Sequence, residues 1–295
     1  MWQRKKTAGN QKHRTARRIV KVLTALFLAV CLVSAMNWFI EGDAIWRPDY
    51  QKEDLSGIVI KDQLTVDDYN TIFKQTGLGH DAVDKLREEK PGAGRAAAFE
   101  RYQNDFFAKN DYTCQVYIFI VHDERTVDEE GNLKKSFHIA DLRDGDIIIT
   151  KSTHSFGWRH GHAAIITDAA KGETIEALLL GNPAVLDSTS KWETYTSFIQ
   201  LRLKNHEEVD AWEIAEYAKK KVLGVPYGLL TGIPVKAPGD IKKTQCAHLV
   251  WYPYEHFGYD LDSDGSWLVT PYDITNSDLL EVVQVYGVNP EEIWQ

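Results

Sequence analysis

The chain has 295 residues, of which 43% are hydrophobic and 26% are charged, a composition typical of a globular protein and not of a disordered one. Its formal charge of −9 does not fit a nucleic-acid-binding protein, which usually presents a basic face, so we expect no nucleic-acid partner. The length allows one large domain, or one domain with a smaller appendage.

The first element in chain order is a basic segment followed by an apolar run. Residues 1–21 carry eight Lys and Arg and no acid, whereas residues 22–40 are almost wholly apolar. A helix over these 19 residues is about 28 Å long, close to the thickness of a hydrocarbon core. We expect a single-pass membrane anchor, or a signal peptide cut after Ala35. Either way, the positive-inside rule places the remainder outside the cytoplasm, at the cell membrane or secreted.

Residues 41–112 are predicted to form a tether and a small helical leader. The pattern indicates helices over 64–77, 80–89 and 94–110. Thr65 is placed to cap the first of them, and Gly77 to end it. The leader contains no catalytic motif, so we interpret it as a packing or positioning module.

Residues 113–295 change character and predict an α+β domain with an antiparallel sheet. The run TCQVYIFIVHD is β-branched and aromatic, as strands are. Further short apolar runs predict strands at 144–151, 162–169, 173–179 and 197–204, followed by a helix at 209–224, a second helix beginning near Cys246 and a turn-rich terminus. Strands followed by helices in this order indicate the α+β class.

Cys246 is the candidate nucleophile. It begins an amphipathic stretch, TQCAHLVWYPYEHFG, with Thr244 as a plausible cap, and the first turn of a helix favours a thiolate. His248 lies two positions further on, about 200° around the helix, so it is not expected to be the base. Pro253 is expected to kink or divide this helix.

The better base lies upstream, in GWRHGHAAIITD. His162 opens a predicted strand there, and an imidazole at a strand end can face a thiol at a helix start. Glu176 lies on the next predicted strand, one hairpin away, so a contact with His162 that would orient the ring is feasible.

The series GDIIIT, GHAAIIT, TIEALL, GVPYG and QCAHLVWYPYEHFGYDLDSDG resembles the permuted branch of the NlpC-type, papain-like cysteine hydrolases, sometimes called YiiX-like. In this branch the order along the chain is histidine, polar residue, cysteine, as it is here. The resemblance covers about residues 140–280, and the leader lies outside it. Ala247-His248 departs from the Ser-Glu that often follows the cysteine in this family.

By position, the resemblance implies Cys246 as nucleophile, His162 as base and Glu176 as the residue that orients the imidazole. It also implies a substrate or oxyanion contact for Tyr227 of GVPYG, and Gln245 is a second candidate for that role. The expected function is cleavage of an amide bond in cell-wall peptide, such as that of peptidoglycan. Cleavage or transfer of a lipid or lipoprotein acyl group is the rival, because the branch also resembles lecithin:retinol acyltransferase-like enzymes. A non-catalytic envelope-binding module is the other alternative.

Metal and cofactor sites are not expected. His154, His160 and His162 cluster in sequence, but no HExxH motif and no spaced carboxylate or cysteine supports them as zinc ligands. The stretch DLDSDG resembles half of a calcium loop, but Pro271 stands where the bidentate Glu belongs. Cys114, among Val116, Ile118 and Ile120, is expected to be a packing residue that forms no disulfide with Cys246.

Overall fold

The computed structural model of the chain describes residues 2–43, 45–117, 120–204, 211–229 and 241–294. Within these ranges, only the backbone is described for residues 2–14 and Ala93. Two parts of predicted elements, residues 118–119 and 209–210, lie outside the described residues. The fold is a mixed α+β arrangement with antiparallel sheets behind an apolar N-terminal helix, which confirms the predicted class.

Helices come first along the chain, a run of strands follows, and three further helices precede the last described strand. The helices are α1 (Trp2–Ile40), α2 (Ser56–Val59), α3 (Val66–Thr76), α4 (His80–Glu89), α5 (Ala93–Phe107), α6 (Ala211–Val222), α7 (Cys246–His256) and α8 (Pro271–Thr275). The strands are β1 (Asp111–Tyr117), β2 (Val121–Val127), β3 (Ile147–Thr150), β4 (Thr153–Ser155), β5 (His162–Asp168), β6 (Glu173–Glu176), β7 (Val185–Ser188), β8 (Phe198–Leu203) and β9 (Leu280–Tyr286).

The larger sheet has the strand order β7-β6-β5-β3-β8-β9, with every neighbouring pair antiparallel. Successive residues of β3 enter different cores because side chains alternate across a strand. Ile147 and Ile149 pack in the core that contains α6 and α7, whereas Ile148 packs in a second core with Phe198 and Trp192. Helix α7 therefore lies against the middle of the sheet, where it packs on β5.

A smaller antiparallel sheet has the order β1-β2-β4. The single strand predicted over 113–123 is wrong, since the chain turns between Tyr117 and Val121 and the two halves pair as a hairpin. The run contains no Gly, Pro, Asn or Asp at the turn, so turn chemistry gave no signal. Strands β4, β7 and β9 were also not predicted.

The helical leader matches its prediction closely. Helix α4 has the predicted bounds, and Thr65 caps α3 through a reciprocal capping box with Asp68. Gly77 ends α3 in a left-handed conformation, as expected. The leader helices share a core with Val283 of β9, so the leader packs on the edge strand of the larger sheet.

The N-terminal helix contains a segment, Thr15–Ile40, long and apolar enough to cross a membrane. A signal sequence would have the same length and composition, so both predicted forms stand. The end of this helix is docked on the rest of the protein. Asn37 is fully buried; its Nδ2 donates to the carbonyl of Ile120 at 3.2 Å, and its Oδ1 accepts from the amide of Gly157 at 2.9 Å.

Candidate active site

Helix α7 begins at Cys246, and this residue is only 8% exposed. The cap is Gln245, whose side-chain oxygen accepts from the amide of Ala247 at 2.7 Å. The prediction of Thr244 as the cap is therefore wrong by one residue, because the longer Gln side chain reaches the same amide. The helix continues through Pro253 to His256. Cys246 thus occupies the first turn, where backbone N–H groups point away from the helix.

His162 is the first residue of β5 and directly follows Gly161. Gly161 has φ +73°, a conformation that side chains rarely adopt, and a Cβ there would lie 2.7 Å from the carbonyl of Thr150. Thr150 is also the partner of His162 in the β3–β5 register. Gly161 therefore lets the chain pass close to β3 and enter β5 with the imidazole at the strand end.

The structure brings Cys246, His162 and Glu176 together. The Nε2 of His162 lies 2.9 Å from Oε2 of Glu176, which leaves Nδ1 free of that contact, and Cys246 lies near enough to the ring to affect its pKa. Burial opposes protonation of His162, but the interactions with Cys246 and Glu176 outweigh it and raise its pKa to about 9. The ring is therefore a cation near neutral pH and can balance a thiolate.

Glu176 is fully buried and is held as an anion by several partners. Its Oε1 accepts from Trp192 Nε1 at 2.9 Å and from Thr174 Oγ1 at 2.7 Å, and its Oε2 lies 2.6 Å from Lys191 Nζ. Burial alone would raise its pKa, but the His162 and Lys191 contacts lower it to about 2.

Lys191 and Trp192 are two further residues of the site, and no sequence motif predicts them. The indole of Trp192 also stacks on His162, with ring centroids 5.4 Å apart and planes 17° apart. Both residues lie on a short 3-10 turn, TSKWET, at positions 189–194. That stretch has the pattern of a polar loop, so nothing in the sequence points to its packing on β6.

Tyr227 lies beside the start of α7. It forms a parallel bridge with Thr244, two residues before Cys246, and its side chain is partly buried. Burial and the charge at Cys246 both raise the pKa of the Tyr227 hydroxyl, so this group stays protonated and can donate a hydrogen bond. The position is compatible with the predicted oxyanion or substrate contact.

Gln245 has a role that the sequence analysis did not assign. Besides capping α7, its Nε2 donates to the carbonyl of Val269 at 2.9 Å, and the residue is only 7% exposed. Both ends of the amide are therefore occupied by the protein itself. The oxyanion role predicted for Gln245 has less geometric support than that of Tyr227.

His248 lies two residues after Cys246 on α7, and its imidazole contacts a different side chain. Its Nδ1 is 3.2 Å from Thr244 Oγ1, and burial lowers its pKa to about 4. A neutral imidazole with this partner does not compete with His162 for the thiol proton.

The three neighbouring histidines considered as metal ligands do not converge. His160 bonds to Ser155 and to the carbonyl of Gly161, and His162 bonds to Glu176. The acidic groups of Asp262, Asp264 and Asp273 do approach one another, but their carboxylates accept backbone hydrogen bonds that shape the local turns.

A cleft of about 210 Å³ opens in front of His162, between the two sheets. One wall is polar and comes from β2 and β4, with Asp123, Arg125 and Thr153. The other includes the apolar side chains of Leu178 and Leu179. A substrate in this cleft would contact both polar and apolar surfaces next to the imidazole.

No protein-family model matches the chain, and no curated protein matches it. Among solved structures, the chain is similar to the crystal structure of the metalloprotein YiiX from Escherichia coli O157:H7, at 16% identity and a TM-score of 0.36. That match covers 48% of this chain and 96% of the other. The likeness is weak, so the permuted papain-like fold expected from the sequence stays a prediction.

Proposed function

We propose that the protein is a membrane-tethered cysteine hydrolase that cleaves an amide bond by acyl transfer through Cys246. The observation that carries this proposal is the buried His162–Glu176 pair, with Cys246 near enough to the same imidazole to raise its pKa. A packing thiol needs no histidine, and a packing histidine needs no buried carboxylate with four partners of its own.

The chemistry follows from the geometry. The Cys246 thiolate attacks the carbonyl carbon, and the carbonyl oxygen becomes an oxyanion. The backbone N–H of Cys246, in the first turn of α7, and the hydroxyl of Tyr227 would stabilise that charge. His162 then gives its proton to the leaving amine, and a thioester forms on Cys246. His162 next removes a proton from water, which attacks the thioester; the acid is released and the thiol restored.

Glu176 is a positioning residue in this scheme. Its bond to Nε2 holds the ring in the orientation that presents Nδ1 to the thiol and stabilises the imidazolium. Trp192 and Thr174 in turn fix the carboxylate, so that it cannot rotate away from the ring.

Peptidoglycan peptide is the favoured substrate because the anchor would place the cleft outside the cytoplasm. The test incubates the detergent-purified full chain with peptidoglycan and counts newly released amino groups. Cys246→Ala should abolish release, whereas Cys31→Ser, which removes an exposed thiol of α1, should leave it unchanged. Retained turnover in folded Cys246→Ala would exclude the mechanism.

An acyl group of a lipid or lipoprotein is the second candidate, and one surface favours it. Four aromatic side chains near the end of α1 are at least half exposed. They are Trp38 and Phe39 of the helix, and Phe156 and Trp158 on either side of Gly157, whose amide donates to Asn37. Aromatic side chains in such positions are typical of a membrane interface. Release of fatty acid from vesicles, with no release of amine from peptidoglycan, would favour this reading. Ligand binding without turnover of either substrate would favour the envelope-binding module.

A further inference from the structure

Four potential metal ligands meet at the end of α1, on residues that the proposed reaction does not use. Cys114 Sγ lies 3.4 Å from His122 Nδ1, which lies 3.2 Å from Glu41 Oε1. One donor atom each from Glu41, Cys114, His122 and His154 falls within 4.8 Å of every other. The expectation that Cys114 packs among apolar residues is wrong, since its thiol faces a histidine and a carboxylate.

The smaller sheet explains how three of these side chains share a face. His122 and His154 are direct partners across β2 and β4, and His122 pairs with Val116 across β1 and β2. Cys114 lies two residues before Val116, so its side chain points to the same face. Adjacent and diagonal positions on one face of a sheet are the ones whose side chains meet.

The fourth ligand is positioned by its neighbours in the chain. The carbonyl of Ile40 accepts from Arg159, and the amide of Gly42 donates to Glu124 Oε1 at 2.7 Å. Backbone bonds on both sides of Glu41 therefore hold its carboxylate over the face that carries Cys114, His122 and His154.

His154 is the independent sign that a ligand is needed here. It is fully buried, yet neither ring nitrogen forms a hydrogen bond with any described residue. An unsatisfied buried polar group costs about 1–3 kcal/mol, so such groups are rare in native proteins. Its ring lies 5.2 Å, centroid to centroid, from that of His122. A metal ion between them would give His154 the partner that the protein does not.

We propose that Glu41, Cys114, His122 and His154 bind a structural Zn²⁺ ion. Zinc prefers four ligands drawn from thiolate, imidazole and carboxylate, with bonds of about 2.0–2.3 Å. A tetrahedron with such bonds has edges of about 3.3–3.6 Å, close to the 3.4 Å and 3.2 Å separations present. On binding, Cys114 releases one proton to solvent. The thiolate and the carboxylate then neutralise the ion, which suits a largely buried site.

The ion would bind on the face of the smaller sheet opposite the cleft and would stabilise the strands that form the cleft wall. Asp123 and Thr153 line the cleft, whereas their neighbours His122 and His154 point to the opposite face of the same strands. Four protein ligands leave no open position for a substrate, which is the pattern of structural zinc. The site would therefore tie the end of α1 to the sheet that forms one wall of the cleft.

The test measures zinc binding to the tag-free full chain in detergent. After dialysis against a chelator, titration with Zn²⁺ alone should give one tight site per chain, and Co²⁺ in its place should show thiolate-to-cobalt charge-transfer absorption. Cys114→Ser and His154→Gln should each weaken zinc binding by more than roughly 100-fold, beyond the usual effect of losing an outer-shell partner. The thermal midpoint should rise with Zn²⁺ in the wild type and not in these variants.

Cys246→Ser is the matched control, since it removes a thiol outside the proposed site and should keep the zinc and the cobalt spectrum. Glu41→Gln changes a residue outside the sheet, so it replaces the strand variants if these fail to fold. It should also lower the affinity for zinc. No stoichiometric zinc in the wild type, or unchanged affinity in folded Glu41→Gln and Cys114→Ser, would overturn the proposal. Loss of zinc only in Cys246→Ser would place the ion at the other thiol and would also overturn it.

Discussion

Lys191 and His162 share one oxygen atom of Glu176. The Nζ of Lys191 lies 2.6 Å from Oε2, and the Nε2 of His162 lies 2.9 Å from the same atom. The carboxylate thus faces two cations, the ammonium of Lys191 and the imidazolium of His162. Lys191 therefore sets how strongly Glu176 stabilises the charged ring.

Replacing Lys191 should change the titration of His162. In Lys191→Met, Glu176 keeps its charge but has one cation fewer, so we expect the pKa of His162 to rise above its present value of about 9. Lys191→Arg keeps the charge and should leave the titration close to that of the wild type. Ring resonances of His162 followed by NMR against pH provide the measurement. A lower pKa in Lys191→Met would contradict this arrangement.

Cys246 should react rapidly with limiting iodoacetamide near neutral pH. The imidazolium of His162 lies near the thiol, and iodoacetamide reacts with thiolates rather than with thiols. We expect His162→Ala to slow alkylation at pH 7 by on the order of tenfold or more, and Glu176→Gln to slow it less. Peptide mass spectrometry reports Cys246 separately from Cys114 and Cys31. Equal rates at Cys246 in wild type and His162→Ala would make it a packing thiol.

Glu176 should contribute to stability only above acidic pH. Its pKa falls from 4.5 to about 2 on folding, so the anion stabilises the folded state above pH 4.5 and this contribution is lost as the pH falls toward 2. The full effect is about 3 kcal/mol. The free energy of unfolding of the wild type should therefore fall more steeply between pH 5 and 2 than that of Glu176→Gln. Parallel pH profiles from denaturant titrations would rule out the predicted linkage.

Gly161→Ala should damage both the fold and the reactive pair. The added Cβ combines a positive φ with contacts to Thr150 and Trp294, and we expect a loss of about 1–3 kcal/mol. Gly131 is the matched control, since it also has positive φ but open space around it. Gly131→Ala should show the backbone strain alone. Alkylation of Cys246 should slow only in Gly161→Ala, because His162 follows that residue directly.

Local signals in the sequence predicted the elements that stabilise themselves. Helix α4 and the Thr65 cap of α3 were predictable because helix periodicity and capping residues act within a few positions. Strand β9 was missed, although LEVVQVY has strand character, because it pairs with β8 almost 80 residues earlier in the chain. Pairing over such distances leaves no mark in the local sequence.

In the candidate site, too, the residues fixed by local sequence were predictable and those that depend on distant packing were not. Cys246 and His162 stand at the start of a helix and of a strand, positions that the pattern could locate. Lys191 and Trp192 reach Glu176 only because the 3-10 turn packs against β6. The ligand cluster at Glu41 joins four separate segments, and the sequence cluster of histidines contributes only His154 to it.

Very few residues separate the end of α1 from its first contact with the sheet that lines the cleft. The helix ends at Ile40, and Gly42 is already hydrogen-bonded to Glu124 of β2. Between Ile40 and Gly42 the described chain contains no long linker, so in the anchored form the cleft would lie close to the end of the helix. The cleft would turn with the helix, at a nearly constant height above the bilayer. Under the proposed function, scissile bonds would have to reach that height, so substrates would be selected by their distance from the membrane as well as by their chemistry.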